Sequence, residues 1–174
     1  YTGDRADAEK AGQLILGYVD RADRLGFGQN GRVGVNGLSD SWFCSPVFRA
    51  VDLLAGAGTF TDEQLTRIRR WLAYEANVIQ DQVFGFNNMQ CEANFPVMAA
   101  GLICGDFKYL RFAYYPPYGM QGHLSGAFYS DGFHREKQSG YHYRSINPIA
   151  DQAEALLRLG FCAYDERVHR ALMN

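Results

Sequence analysis

Apolar residues recur at steps of three and four along most of the chain, which is the spacing of an amphipathic α-helix. The clearest case begins at Thr61, whose hydroxyl can cap the first turn while Gln64 reaches back to it, as in a capping box. The stripe that follows is Leu65, Ile68, Leu72, Ala76 and Ile79. Further stripes are Leu14, Tyr18, Ala22 and Leu25; Val47, Val51 and Leu54; Ile149, Ala153, Leu156 and Leu157; and Val168 and Leu172. Alternating β patterns are absent, so the sequence predicts an all-α chain of about seven helices.

Two more helices are predicted where polar residues give way to apolar ones. The first starts at Asn94 or the next residue and ends at Cys104, with Asn94 as its cap and Pro96 in its first turn. The second is short and covers residues 122–129. Residues 114–118 are aromatic and contain prolines, so a loop is expected there.

Length and charge restrict the function classes. With 174 residues, of which 47% are hydrophobic, the chain is expected to form one all-α domain over residues 1–174. The net charge of −2, with Lys and Arg scattered, argues against a nucleic-acid partner. No apolar run is long enough to span a membrane. Because the chain starts at Tyr1 and a helical pattern runs to Asn174, we expect a segment of a larger protein.

The cysteines give no metal-type spacing. They are far apart and each lies among apolar neighbours: Cys44, Cys91, Cys104 and Cys162. Buried free thiols are therefore expected, with a disulfide as the alternative in a secreted protein. A phosphate-cradling loop is also absent, so no metal site and no organic cofactor is predicted.

Two segments concentrate polar side chains. Residues 84–94 carry side-chain amides before an apolar helix: Asn87, Asn88, Gln90 and Asn94, with Glu92 among them. Amides at a helix N-terminus can bind a carboxylate, and the alternative is that they cap the helix and hold the loop. Residues 130–144 hold His134, Arg135, Glu136, Lys137, Tyr141, His142, Tyr143 and Arg144. His and Tyr transfer protons, and the alternative is a solvated charged loop.

The order of these segments resembles the heparinase II/III-like polysaccharide lyases and their alginate lyase relatives. In that family a double Asn precedes an alanine-rich helix, and Asp-Gly, Glu, Ser and Tyr-His follow later in the chain. Here Asn87 and Asn88 precede the helix, DGFHREKQSGYH runs from Asp131 to His142, and Tyr141 follows Asn88 at close to the family's interval. The segments TDEQLTRIRRWLAYEA and LLRLGFCAYDERVHRAL are also similar to the family, so the resemblance spans most of the chain after about Asp40.

The resemblance implies both a fold and an activity. The fold would be an incomplete (α/α) toroid of antiparallel helical hairpins, with a β-sandwich domain in a missing portion of the parent chain. The activity would be cleavage of an acidic, uronate-containing polysaccharide by β-elimination, in a secreted or periplasmic protein without a cofactor.

The resemblance also assigns roles to residues. Asn88 would neutralise the uronate carboxylate, and Tyr141 would act as general acid, or as both acid and base. Where the relatives often have a histidine the chain has Met89, so His123 or His134 would substitute for that base, and the histidines expected to be catalytic are His134 and His142. The expected substrate-binding residues are Asn87, Gln90, Trp42, His123, Glu136, Tyr143 and Arg144.

Three alternatives remain open at the level of sequence. Asn87, His134 and Tyr143 match a second register, that of chondroitin and hyaluronate lyases. A helical-toroid glycoside hydrolase would use Asp131 and Glu136 as paired carboxyl groups. A helical carbohydrate-binding module would lack catalysis altogether. Trp42 and the cluster of Tyr114, Tyr115 and Tyr118 are candidates for stacking on sugar, whereas Trp71 is expected to pack in the core.

Overall fold

The computed structural model describes residues 4–26, 37–115 and 117–163. Within these ranges the chain forms seven α-helices and no strand. The helices are α1 (Arg5–Leu25), α2 (Gly37–Gly56), α3 (Asp62–Gln80), α4 (Asn88–Cys104), α5 (Phe107–Tyr114), α6 (Met120–Gly126) and α7 (Ser139–Arg158). An isolated bridge joins Phe128 to His134. The all-α prediction is confirmed for the described residues.

Helix α3 matches its predicted start and stripe. The Thr61 hydroxyl accepts from the Gln64 backbone N–H at 3.2 Å, and the Gln64 side-chain oxygen accepts from the Thr61 backbone N–H at 2.9 Å. Of the predicted stripe, Leu65 is half-buried and the other four residues are fully buried. Trp71 is also fully buried, so its predicted role in packing is confirmed.

Helix α4 begins six residues before its predicted start, at Asn88 rather than Asn94. Asn87 caps it, because its side-chain oxygen accepts from the Gln90 N–H at 3.1 Å and its side-chain nitrogen donates to the Phe84 carbonyl at 2.6 Å. Asn94 lies inside the helix, and so does Pro96, which was expected in the first turn. The prediction was wrong because amide side chains suit a loop and a buried first turn equally well.

Two other predictions were wrong in register. In α1 three of the four residues of the predicted stripe are exposed, with Leu14 at 61%, and only Ala22 of that stripe is buried, together with Ile15 and Val19. Two apolar stripes offset by one residue share the same period, so tertiary packing decides between them. Likewise Leu157 is exposed while its neighbours in the stripe are buried, and α6 ends at Gly126, before residue 129. Val168 and Leu172 lie outside the described residues.

Helix α4 is at the centre of the fold and packs against α2, α3, α5 and α7. It is therefore buried on nearly every side from Cys91 to Gly101. Helix α1 covers α2 and α3 from outside. Among the described helices, none combines the length and apolar character that crossing a membrane requires.

The cysteines are only partly where the sequence places them. All four are free. Cys44 and Cys91 are buried, and burial raises the pKa of both thiols well above the ordinary value. Cys104 is half-buried and Cys162 is exposed, so the expectation of burial was wrong for Cys162.

Candidate functional site

The two polar segments meet at the first residue of α4. The Glu136 carboxylate accepts a hydrogen bond from the Asn88 backbone N–H, with 2.7 Å between Oε2 and the nitrogen. N–H groups in the first turn of a helix have no partner within the helix, and the helix dipole favours an anion beside them. Glu136 therefore holds the segment that precedes α7 against the start of α4.

The first turns of α4 contain a network of buried amides. Gln90 is fully buried, and its side chain accepts from the Phe84 backbone N–H at 2.8 Å and donates to Asn94 at 2.9 Å. Asn94 donates onward to a backbone carbonyl, and the Asn87 amide is used in capping. Asn88 differs, because none of the hydrogen bonds among the described residues uses its side chain and the residue is 6% exposed. Among the amides of this network, that of Asn88 is therefore the one available for a further hydrogen bond.

Three buried histidines lie next to this network. His123 comes from α6, His134 from the loop after it and His142 from the start of α7. The Nε2 atoms of His123 and His134 are 3.5 Å apart, and the His134 backbone N–H donates to His142 Nδ1 at 3.2 Å. The ring of Phe128 packs edge-on against His134 and that of Phe133 stacks on His142. These contacts enclose the rings, so none of the three meets bulk solvent.

The hydrogen bonds assign one tautomer to each ring. The Glu136 backbone N–H donates to His134 Nδ1 at 3.3 Å, so His134 carries its proton on Nε2 and donates to His123. His123 then carries its proton on Nδ1, and His142, whose Nδ1 accepts, carries it on Nε2. Both of these ring nitrogens are buried without a partner among the described residues. Leaving such a group unpaired costs about 1–3 kcal/mol, and local costs of this kind are typical of functional sites.

Burial lowers the pKa of all three histidines. The pKa of His123 falls to about 3, through burial first and through the neighbouring His134 second. Burial also lowers the pKa of His134 and of His142, against the attraction of Glu136 for the first and of Asp131 for the second. The rings are therefore neutral at neutral pH. The 3.4 Å contact between His134 Nδ1 and Glu136 is consequently not an ion pair under those conditions.

The first turns of α7 carry the exposed candidates. Tyr141 is 40% exposed and Tyr143 is more exposed still. The chain enters the helix through Lys137, whose φ of 56° lies in the left-handed region that disfavours a residue with a Cβ. Backbone strain of this type clusters at sites where function fixes the conformation. Tyr141 is thus presented to solvent five residues after Glu136, the residue that anchors its segment to α4.

A groove runs along α4 between α2 and α7. Its volume is about 250 Å³, and its lining includes Trp42, Arg49, Glu92, Phe95, Arg144 and Asp151. A second cavity, of about 340 Å³, is lined by residues further along the same three helices, which means that α2, α4 and α7 run in the same direction. An ion pair between Arg49 and Asp151 joins α2 to α7, and a second one joins Arg158 to Asp52 at 3.4 Å. We call the first cavity the α2–α7 groove.

The α2–α7 groove combines an aromatic face, a cation and a carboxyl group. Trp42 is 49% exposed, and the Arg144 guanidinium lies 5.8 Å from the centre of its ring. Glu92 is half-buried, and one of its carboxyl oxygens is buried without a partner among the described residues. Burial raises the pKa of Glu92, with the nearby Arg144 opposing it.

The structure therefore gathers most of the predicted residues, but in two places. Asn87, Asn88, Gln90, His123, His134, Glu136 and His142 form one connected cluster at the starts of α4 and α7. Trp42 and Arg144 line the α2–α7 groove, together with Glu92, which falls at the spacing of the chondroitin and hyaluronate lyase register but was not among the predicted site residues. Tyr115 and Tyr118 instead line a separate cavity of about 590 Å³ beside α5. The sequence feature that could have identified Glu92 is its position four residues before Pro96.

Within the described residues, no group of three or more His, Cys, Asp or Glu side chains is arranged to hold a metal ion. In comparisons with known proteins, the chain matches no protein-family model, no curated protein and no solved structure.

Proposed function

We propose that the chain is part of a lyase that cleaves uronic-acid-containing polysaccharide by β-elimination. The observation that carries the proposal is the hydrogen bond from the Asn88 N–H to Glu136, because it joins the two polar segments. It holds a side-chain amide with no partner among the described residues beside the segment that leads to an exposed phenol, that of Tyr141. These two groups are the ones that the reaction needs.

The chemistry divides between the two side chains. A base removes the proton from C5 of the uronate, the electron pair forms the C4–C5 double bond, and the C4–O bond breaks. Negative charge builds up on the uronate carboxylate meanwhile, and hydrogen bonds from the Asn88 amide stabilise it. When both groups lie on one face of the sugar, the Tyr141 phenolate takes the C5 proton, and the hydroxyl formed in this way protonates the departing glycosidic oxygen.

The buried histidines have a structural part in this proposal. His134 and His142 are enclosed, so direct contact with a polymer would require the loop around Phe128 and Phe133 to open. In this structure they fix the backbone between Glu136 and α7 through the bonds of His134. We therefore assign the base to Tyr141 and the positioning of its segment to the histidines.

The helix directions support an (α/α) toroid as the parent fold. Helices α2, α4 and α7 run in the same direction side by side, while α1, α3 and α5 pack outside or between them. This is the order expected of successive helical hairpins with an inner and an outer helix. A β-sandwich portion of the parent chain and a secreted or periplasmic location belong to the same proposal.

The hydrolase alternative has weaker support, because both carboxyl groups have structural roles. Glu136 accepts the Asn88 N–H, and Asp131 accepts the Phe133 N–H at 2.9 Å within its own turn. A pair of catalytic carboxyl groups would have to face a shared glycosidic bond.

The test is an absorbance assay on a panel of alginate, heparan sulfate, chondroitin, hyaluronan and polyglucuronate, using the full-length parent protein. Elimination creates an unsaturated uronate that absorbs at about 235 nm, whereas hydrolysis does not. Tyr141→Phe is expected to lower kcat by about 10²-fold to 10⁴-fold on the polymer that is cleaved. The matched control is Tyr129→Phe, since Tyr129 is equally exposed, at 42%, and lies outside both parts of the site.

Three outcomes would count against the proposal. Cleavage without a rise in absorbance would mean hydrolysis, and binding without cleavage of any polymer would mean a carbohydrate-binding module. Full activity of Tyr141→Phe together with loss in Tyr143→Phe would shift the site to the register of Asn87 and Tyr143. The structure favours Asn88 over Asn87, because the Asn87 amide is already used in capping.

A further inference from the structure

The prolines of the chain follow a pattern that the proposed function does not explain. The chain has five prolines, and Pro46, Pro96 and Pro148 lie inside α2, α4 and α7. Proline has no N–H, so it cannot donate to the carbonyl four residues earlier in its helix. The residues that lose their donor are Trp42, Glu92 and Arg144, and all three line the α2–α7 groove.

The three prolines inside the helices also have an energetic cost. A proline inside a helix is unfavourable relative to other residues, both through the lost hydrogen bond and through steric conflict with the preceding turn. Helix α4 and its two neighbours α2 and α7 each carry that disadvantage, and Pro148 itself lines the groove. Each proline removes the usual N–H donor from the carbonyl of one residue that lines the groove, and such a carbonyl is an acceptor for an O–H donor.

The side chains of the groove specify which O–H donor fits. Trp42 is about half exposed, and an exposed indole ring can stack on the apolar face of a pyranose. Arg144 can hydrogen-bond a carboxylate with two N–H groups, and it forms no ion pair among the described residues, whereas Arg49 is taken up by Asp151. Asp151 and Glu92 disfavour a multiply charged phosphate in the same space.

We infer that the α2–α7 groove is a binding subsite for one uronate unit of the polymer. Trp42 stacks on the sugar ring, Arg144 binds its carboxylate, and Glu92 with the carbonyl groups freed by the prolines accepts its hydroxyl protons. The inference rests on the proposed function, since the polymer would extend from Asn88 and Tyr141 into the groove. It assigns the recognition of a second acidic sugar to residues of three different helices.

Tryptophan fluorescence tests the subsite directly. Trp42 and Trp71 are the two tryptophans of the chain, and Trp71 is fully buried, so a ligand in the groove changes the emission of Trp42. The probes are a tetrasaccharide of polyglucuronate and the same tetrasaccharide with its carboxyl groups reduced to alcohols. Titrating them into the Tyr141→Phe variant separates binding from cleavage.

The expected result is saturable binding of the acidic probe that weakens about 10-fold to 100-fold in Arg144→Gln, with little change for the reduced probe. Arg24→Gln is the matched control, an exposed arginine at the end of α1. Equal affinity for the two probes, or an unchanged affinity in Arg144→Gln, would overturn the subsite. Trp42→Phe should remove the fluorescence change while binding persists by calorimetry.

The carbonyl acceptors have their own test in Pro148→Ala, which restores a donor to the Arg144 carbonyl. This variant is expected to unfold at a higher denaturant concentration and to bind both probes several-fold more weakly. A more stable variant with unchanged affinity would remove the carbonyl groups from the subsite.

Failure of the subsite and failure of the lyase give different results. If no polymer is cleaved but Arg144-dependent binding of the acidic probe persists, the proposed activity is wrong and the subsite stands. If elimination occurs and KM is unchanged in both Arg144→Gln and Trp42→Phe, the activity stands and the subsite is wrong.

Discussion

Helices α3 and α4 are neighbours of similar length, yet they use their polar residues in opposite ways. In α3 one face is buried and mostly apolar, and its buried Glu75 accepts a hydrogen bond from the Trp71 indole N–H at 3.1 Å. The polar residues at the start of α3, Thr61 and Gln64, satisfy the backbone of the helix itself. In α4 nearly every face is buried, and the polar residues at its start lie beside two histidine nitrogens, His123 Nδ1 and His142 Nε2, that are buried without a partner among the described residues. The comparison indicates that the polar residues at the start of α3 stabilise the fold, whereas those at the start of α4 form a site at which stability is lower.

The largest expected effect tests the first half of this comparison. Leu72 is fully buried on the apolar face of α3. Leu72→Ala should lower the free energy of unfolding by about 2–5 kcal/mol, because it removes buried methyl groups and leaves a cavity. Urea denaturation measures this, with Arg70→Lys on the exposed face of the same helix as control. A loss similar to that of the control would break the comparison.

The second prediction contrasts an amide of each helix. Asn88→Ala should lower kcat by about 10²-fold to 10³-fold on the cleaved polymer, because the developing charge loses its hydrogen bonds. Its stability should change little, since the bond to Glu136 uses the backbone N–H that alanine keeps. Asn77 in α3 accepts from the Tyr109 hydroxyl at 3.1 Å, so Asn77→Ala should lower stability and leave kcat unchanged. The reverse pattern would contradict the division between the helices.

The third prediction compares the two caps. Thr61→Ala should lower the free energy of unfolding by about 0.5–2 kcal/mol, as is usual for the loss of a cap. Asn87→Ala should lower it by about 1 kcal/mol more, because Asn87 also donates to the Phe84 carbonyl. Thermal unfolding of both variants at one protein concentration gives the difference. Equal losses would mean that the second bond of Asn87 contributes nothing.

The sequence predicted α3 better than α4 for a physical reason. A helix with one buried face repeats its apolar residues at a fixed spacing, so its stripe and its capping box can be read directly. A helix buried on all sides has no such contrast, and Asn87 to Asn94 could equally have formed a loop. In α1 two stripes shared one period, and only packing against α2 and α3 selects Ile15 and Val19.

The candidate site was also predictable from the sequence only in part. The two polar segments were predictable from their residue types, since Asn, His and Tyr suit the binding of a carboxylate and proton transfer. Their connection through Glu136 and the burial of the histidines were not, because both depend on contacts between residues far apart in the chain. The place of Glu92 in the groove was not predictable, because its neighbours there, Trp42 and Arg144, are brought to it by α2 and α7.

The smallest expected effect is a dependence of stability on pH that comes from the buried histidines. Helix α3 contains no histidine. The pKa of His123 is about 3 in the folded protein, and that of His134 and of His142 is also lowered. An unfolded histidine has a pKa of about 6.5, so below that value the unfolded chain binds protons that the folded protein does not. Stability is therefore complete above about pH 6.5 and falls as the pH drops toward 3.

At about pH 6, His123 should lower the free energy of unfolding by slightly less than about 1 kcal/mol. This loss grows by about 1.4 kcal/mol for each unit by which the pH is lowered further, until the folded-state pKa is reached. Carboxyl groups such as Glu92, whose pKa is raised by burial, act in the opposite direction, so the comparison must be made between variants. His123→Gln should flatten the dependence of the unfolding free energy on pH between about 6 and 4, measured by urea denaturation. Hydrogen exchange at the lower pH should show α6 and the start of α7 opening before α3, because only the former contain protonatable rings among the described residues. If α3 opened first, or if the pH dependence of the unfolding free energy were unchanged in His123→Gln, the region around the buried histidines would not be the less stable part of the fold.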